Sequence, residues 1–366
     1  MSAFAERRER AAALMSSAET PVILTRDLAT IRYFTAFSGS NAAMAIGSEI
    51  FILVTDGRYT DQVHEEVANA GLEGSIDIRI DRDLIGAALG ALRGSNPGSS
   101  TGSIIAVDSG LGFADVERVR ALGFSPSSSA VDLGHLRQVK DAVEIEMLTR
   151  ACGITAQGMS AIANSIRVGD SEQSIARRLE HMFAEFGADD RSFPTIVATG
   201  TNSAVPHHRP STASLGEGDL LVIDCGALVD GYHADMTRTF VVGQPGDSRQ
   251  TSIHHAVASA NAAGRAAAVP GVSAREVDAA ARSVLSDGGL AEYFTHGTGH
   301  GVGLAVHEAP MINAGNADTI SAGTPITIEP GVYIPGFGGV RIEDTIVVGD
   351  PGLLLTSASY ELSVVG

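Results

Sequence analysis

HGTGHGVGLAVHE, residues His296–Glu308, packs three histidines among four glycines that recur at every second position. Such a run has three readings: a phosphate loop, a metal site or a polar turn. The phosphate and dinucleotide readings fail on spacing. A dinucleotide loop needs G-x-G-x-x-G, and Val302 stands where the third glycine belongs. A P-loop needs a lysine after its last glycine, and none follows. The H-E-x-x-H zinc motif fails as well, because His307-Glu308 leads on to Ala309, Pro310 and Met311. What the run does is therefore decided by acidic residues elsewhere in the chain.

Four of them stand at the ends of apolar segments. In LLVIDCG, Leu220–Ile223 read as a strand buried on both faces, with Asp224 at its end. A buried carboxylate is costly unless it is paired or bound to a cation. Asp235 follows eleven positions later, and GALVDG between them supplies a turn, so a hairpin could bring the two carboxylates together. PITIEPG places Glu329 at the end of an apolar strand. GGVRIEDTIVV places Glu343 inside one, with Arg341 two residues earlier on the same face. Each acid alone has an ordinary reading: a cap, a loop carboxylate, an ion-pair partner of Arg341. Together they repel, and a cation resolves the conflict. Oxygen donors with one imidazole, for which His300 is the candidate, suit Mn²⁺, with Co²⁺ or Zn²⁺ as alternatives. Two such ions roughly 3.5–4 Å apart activate a water and polarise a carbonyl.

At 366 residues, two domains are expected, in an α/β chain rich in alanine and glycine. A net charge of −18 argues against nucleic acid and anionic membranes as partners. Cys152 and Cys225 are too few for a disulfide framework, which fits a cytoplasmic, reducing compartment. MSAFAERRERAAAL lacks the apolar core of a signal peptide, and no run approaches the length of a membrane span. Pro21–Thr25, Phe51–Asp56 and Ile104–Ser109 read as strands, and Gly94–Ser103 and Ser125–Ser129 as loops. Leu136–Met159 reads as a helix with Val139, Val143, Met147 and Leu148 on its apolar face. Ser171–Gly187 and Ala258–Val269 read as further helices, and the remaining apolar segments as a mixed antiparallel sheet carrying them. The domain boundary falls near residues 130–137.

HGTGHGVGLAVHE, EPGVYIPG and GVRIEDT resemble the signatures of the aminopeptidase P and prolidase group of pita-bread metallopeptidases (family M24). TIRYFTAFSGSNAAMAIG and LVTDGRYTDQ are similar to its smaller domain. The resemblance implies an RNase H-like α/β domain over residues 1–135 and a pita-bread catalytic domain over 136–366. It implies Asp224, Asp235, His300, Glu329 and Glu343 as ligands of two divalent ions, with Asp235 and Glu343 bridging both and Glu329 also acting as general base. His207 would lie near the substrate amide, His307 would steady the tetrahedral intermediate, and His296 and Arg341 would line the substrate pocket beside Tyr333. His208 would have no role, His233, His254 and His255 would be surface or structural, and Cys225 would pack behind Asp224. The expected reaction is hydrolysis of small peptides at the bond between an N-terminal residue and proline, by a homodimer. Dipeptidase and aminopeptidase P readings stay open. Methionine aminopeptidases, which typically lack the smaller domain, and creatinase-like or silent relatives, which have lost ligands, are the alternatives.

Overall fold

The computed structural model describes residues 3–18, 22–95 and 102–366. The chain divides into two compact units, Met1–Arg137 and Gln138–Gly366. Pro21 and residues 96–101, read above as part of a strand and of a loop, lie outside the described residues.

The first unit runs α1 (Ala3–Ser17), β1 (Val22–Thr25), α2 (Leu28–Thr35), β2 (Ala42–Gly47), β3 (Phe51–Thr55), α3 (Thr60–Asn69), β4 (Asp77–Ile80), α4 (Leu84–Ser95), β5 (Ile104–Val107), α5 (Phe113–Ala121) and β6 (Ser125–Ser128). Its sheet has the order β4-β3-β2-β1-β5-β6, with antiparallel pairing from β1 to β3 and parallel pairing outside. Leu84, Ile85, Ala88, Leu89 and Leu92 of α4 recur at helical spacing and pack with Leu24, Ala43, Ala45, Ile52 and Val54 of the sheet. Two expectations are corrected. Ser125–Ser128, a loop by composition, is the edge strand β6, which needs no apolar face because only β5 pairs with it. Gly94 and Ser95 close α4 instead of opening a loop.

The second unit starts with α6 (Ala142–Ser165), capped by Asp141 in a capping box with Glu144, then α7 (Glu172–Glu185). Here too the reading is corrected: the helix begins at Ala142, not Leu136, and Val143 is 56% exposed. Of the predicted face, Leu148 is fully buried and Met147 partly so, and the buried stripe continues through Ala151, Cys152, Thr155 and Met159. Short strands follow: β7 (Asp190–Arg191), β8 (Ile196–Thr199), β9 (Leu220–Cys225), β10 (Ala227–Val229), β11 (Tyr232–His233) and β12 (Met236–Val242). Two helices, α8 (Ser248–Ala267) and α9 (Ala274–Asp287), precede β13 (Gly299–Gly301), β14 (Glu308–Ile312), β15 (Pro325–Ile328), β16 (Gly331–Ile334), β17 (Gly338–Arg341), β18 (Asp344–Val347), β19 (Leu353–Leu354) and β20 (Val364–Val365). They form four sheets, where one was expected: β11-β10-β7, β20-β12-β9-β8, β14-β13-β15-β18-β19 and the hairpin β16-β17. Pro330 and other breaks divide segments that read as continuous, and PITIEPGVYI contributes to two sheets. One apolar cluster joins α6 and α7 to β9 and β12, and another joins α8 and α9 to β16 and β17.

Candidate metal centre

Strand β9 alternates in the pleat. Leu221, Ile223 and Cys225 enter the cluster under α6 and α7, whereas Leu220 and Val222 join other clusters, and Asp224 follows their side. Cys225 thus packs as a small hydrophobe on the opposite face from the carboxylate, and burial pushes its thiol well above its ordinary value. The eleven-residue spacing folds as a hairpin within a hairpin. Strands β9 and β12 pair with Asp224 opposite Thr237, and β10 and β11 turn between them through Asp230 and Gly231, at φ 49° and 77°. Asp235 therefore emerges beside Asp224. Glu329 follows β15 directly, and Glu343 sits in the break between β17 and β18, not inside a strand as expected. Fully buried Asn261 of α8 donates from Nδ2 to the carbonyl oxygens of Ile328 (2.7 Å) and Ile342 (3.3 Å), pinning the residue before each acid.

The four glycines of the opening run explain how His300 is brought in. None adopts a left-handed conformation; neighbouring backbone presses on Gly297, Gly299 and Gly301, and the Lys140 side chain on Gly303. A Cβ on Gly297 would come within 2.8 Å of the Ile312 carbonyl oxygen, and one on Gly299 or Gly301 would collide with Thr327 or Ala309. The His300 amide donates to Thr327 Oγ1 at 3.0 Å. With Nδ1–H donating to the Gly301 carbonyl at 3.0 Å, Nε2 keeps its lone pair free for a cation. Nε2 lies 3.6 Å from both Asp235 Oδ2 and Glu329 Oε1. Asp235, His300 and Glu343 each offer a donor atom within 4.8 Å of the others.

The electrostatics of this group fit a cation. Burial first, and then the charge of the neighbouring acids, raises Asp235 and Glu343 well above the carboxylate range; burial also raises Glu329. Burial lowers His300, which keeps it in the neutral form a metal ligand needs. Asp224 Oδ1 and Glu343 Oε1 are buried without a hydrogen-bond partner among the described residues, a costly state that a divalent ion would relieve. The second oxygens are fixed: Thr237 Oγ1 donates to Glu343 Oε2 at 2.7 Å, and Arg341 Nη2 to Asp224 Oδ2 at 2.7 Å. Arg341 thus pairs with Asp224 rather than with Glu343.

Around the acids lies a cleft of about 430 Å³, whose walls include all five predicted ligands together with His207, His296, His307 and Arg341. Its apolar lining comes from Phe193, Pro194, Ile196, Val306 and Met311. Tyr333 stands behind this wall. Its hydroxyl accepts from Arg341 Nη1 (2.8 Å) and donates to His296 Nε2 (2.9 Å), while His296 Nδ1–H donates to the Gly297 carbonyl (2.7 Å). Burial pushes the Tyr333 phenol up to about 12, so it stays a donor. His307 stacks edge-on to His300 with ring centres 4.4 Å apart, and burial, then His300, lowers it. Of the histidines set aside above, His208 is no bystander: it bonds Glu172 at 2.8 Å. Glu172 also accepts from Thr199 N, Asn202 Nδ2, Ser211 N and Ser211 Oγ, and so anchors the segment that presents His207. His233 bonds Ser192, and His254 is buried in α8, which makes both structural; His255 is exposed. Asn261, Thr237 and Glu172 escaped sequence reading because their partners are distant in the chain, and Glu172 stands among polar residues in DSEQS.

Comparison with known proteins agrees with this geometry. The profile of Metallopeptidase family M24 matches residues 146–350, and that of the Creatinase/Prolidase N-terminal domain matches residues 7–138. The chain is 38% identical over 261 residues to a Xaa-Pro dipeptidase of Pyrococcus horikoshii, covering 70% of this chain and 74% of that one. Among solved structures, a Xaa-Pro dipeptidase from Bacillus anthracis superposes with a TM-score of 0.89 at 30% identity, covering 99% and 100% of the two chains. An X-Pro aminopeptidase from Thermotoga maritima gives 0.87 at 30% identity, with 98% and 99% covered. The chain belongs to metallopeptidase family M24, a pita-bread hydrolase preceded by a creatinase/prolidase N-terminal domain.

Proposed function

We propose that this enzyme hydrolyses the bond between an N-terminal residue and proline, using two divalent cations held by Asp224, Asp235, His300, Glu329 and Glu343. The observation that carries the reading is the convergence of buried acids on one imidazole, with two carboxylate oxygens left unpartnered. Predominantly oxygen donors favour Mn²⁺. When bound, the ions supply Lewis acidity toward the scissile carbonyl and lower the pKa of water. The chain's own groups do the rest. Glu329, on the cleft wall, takes a proton from the attacking water and returns it to the proline nitrogen. His207 and His307, on the cleft wall, donate to the developing oxyanion. Arg341, with Tyr333 and His296, fixes the orientation of Asp224.

A dipeptide is the favoured substrate length. All three guanidinium nitrogens of Arg341 are engaged, by Thr237, Tyr333 and Asp224. Arg209, also on the cleft wall and exposed, makes no hydrogen bond or ion pair among the described residues and is free to meet a C-terminal carboxylate. A cytoplasmic homodimer completes the proposal, supported by the family resemblance and by two free, buried cysteines.

The test is turnover of Xaa-Pro dipeptides with added Mn²⁺, alongside metal content. Asp235→Ala should lose several orders of magnitude in kcat/KM, about 10³-fold or more, and bind fewer ions per chain. Unchanged turnover in that variant, or insensitivity of the wild type to chelator, would overturn the assignment.

A further inference from the structure

Lysine occurs once in this chain, at Lys140, against 24 arginines. That lysine is not on the surface. Its ammonium lies 3.1 Å from Glu308 Oε2, and the two side chains are 1% and 2% exposed. The other Glu308 oxygen, Oε1, accepts the Ala305 amide at 2.9 Å. Gly303 makes the room: a Cβ there would stand 2.7 Å from Lys140 Cε and 2.9 Å from Nζ. The Gly303 carbonyl in turn accepts the His233 amide at 2.9 Å, and the Lys140 amide donates to the Gly323 carbonyl at 3.0 Å. Both ends of the pair are thus fastened to backbone, and the segment between Gly303 and Glu308 is closed on itself.

A buried ion pair is a poor source of stability, because desolvation offsets most of the attraction and an apolar pair of similar volume serves as well or better. What it supplies is position. A compact ammonium in a gap left by a glycine holds one carboxylate in one place. Glu308 is the neighbour of His307, whose ring stacks on the candidate ligand His300. We propose that the Lys140–Glu308 pair is a positioning device for His307, keeping that imidazole on the cleft wall where the substrate oxyanion develops. This rests on the peptidase reading of the cleft, but one of its tests does not.

The first test is kinetic. Lys140→Met with Glu308→Leu replaces the pair by an apolar couple that retains volume, so the fold should survive even if either single variant does not. Its kcat on a Xaa-Pro dipeptide should fall roughly 10- to 100-fold with KM changed by less than about threefold, as for a sub-ångström misplacement. In a His307→Ala background the same replacement should change kcat by less than about threefold, because the effect passes through His307. Equal losses in both backgrounds, or no loss in either, overturn the proposal. The second test needs no activity. Since Lys140 is the only side-chain amine, its acylation by an N-hydroxysuccinimide ester, read by peptide mass spectrometry, reports on the pair alone. Lys140 should be protected in the native wild type and at least about tenfold faster to react in Glu308→Gln, which weakens the pair. Rapid acylation of the wild type overturns the proposal, whereas absent Xaa-Pro turnover with a protected lysine overturns only the peptidase reading.

Discussion

Removing the cations should make the stability of residues 138–366 decline as pH rises. Without them, burial and the neighbouring acids hold Asp235 and Glu343 well above the carboxyl range, whereas the unfolded chain releases the same protons near about pH 4. Between those two values the native state carries protons that the unfolded state has lost, so stability falls with pH. Below about 4 there is no penalty, and above the folded values it is complete. Each group contributes a slope of up to about 1.4 kcal/mol per pH unit. Unfolding a unit of this size moves by roughly 2–4 °C per kcal/mol, so one group alone gives about 3–5 °C per pH unit. The two carboxyls repel each other and release their protons in succession, which keeps the expected slope near the single-group figure at any one pH. The assay is calorimetry of chelated and Mn²⁺-loaded protein from about pH 5 to about pH 8, reading the gap between the two transitions so that groups common to both cancel. The gap should widen with pH. A chelated protein whose transition stays level or climbs relative to the loaded one over that range would refute the electrostatic reasoning.

Two further outcomes are expected. Glu172→Gln keeps the shape but removes the charge that holds five donors, so unfolding free energy should drop by about 2–4 kcal/mol in urea titration, with KM rising as the His207 segment loosens. A loss below about 0.5 kcal/mol would show that the segment is anchored elsewhere. Arg209→Gln should lower the ratio of kcat/KM for a Xaa-Pro dipeptide over its C-terminal amide by roughly tenfold, the value of one charge-assisted hydrogen bond. An unchanged ratio would return the aminopeptidase P reading to equal standing.

The candidate ligands could be picked out in the sequence because metal chemistry demands costly residues in costly places: a carboxylate after four apolar residues, as at Asp224, needs a reason. The alternation of Gly297 to Gly303 was visible too, but not its cause, since the carbonyls that forbid a side chain at Gly297, Gly299 and Gly301 come from β14 and β15, and at Gly303 the obstacle is Lys140. Secondary structure misled where composition and pairing disagree. Ser125–Ser128 is a strand only because β5 supplies its ladder, and the face read for α6 took in Val143, which is apolar yet exposed, and left out Thr155, which is polar yet buried. Asn261 carried no signal at all: its value lies in two carbonyls 67 and 81 residues away.

The four glycines from Gly297 to Gly303 carry a lesson for anyone altering this enzyme. Exchanging glycine for alanine in a mobile loop is a standard way to stiffen a protein, because it removes freedom only from the unfolded chain. Here the run that looks loosest on paper is already wedged between carbonyls and the Lys140 side chain, and a single added methyl at Gly299 would spread the strands that deliver the imidazole. Libraries meant to retune the enzyme should leave these four positions bare and diversify the apolar rim at Phe193, Val306 and Met311, where side chains face open space instead of backbone.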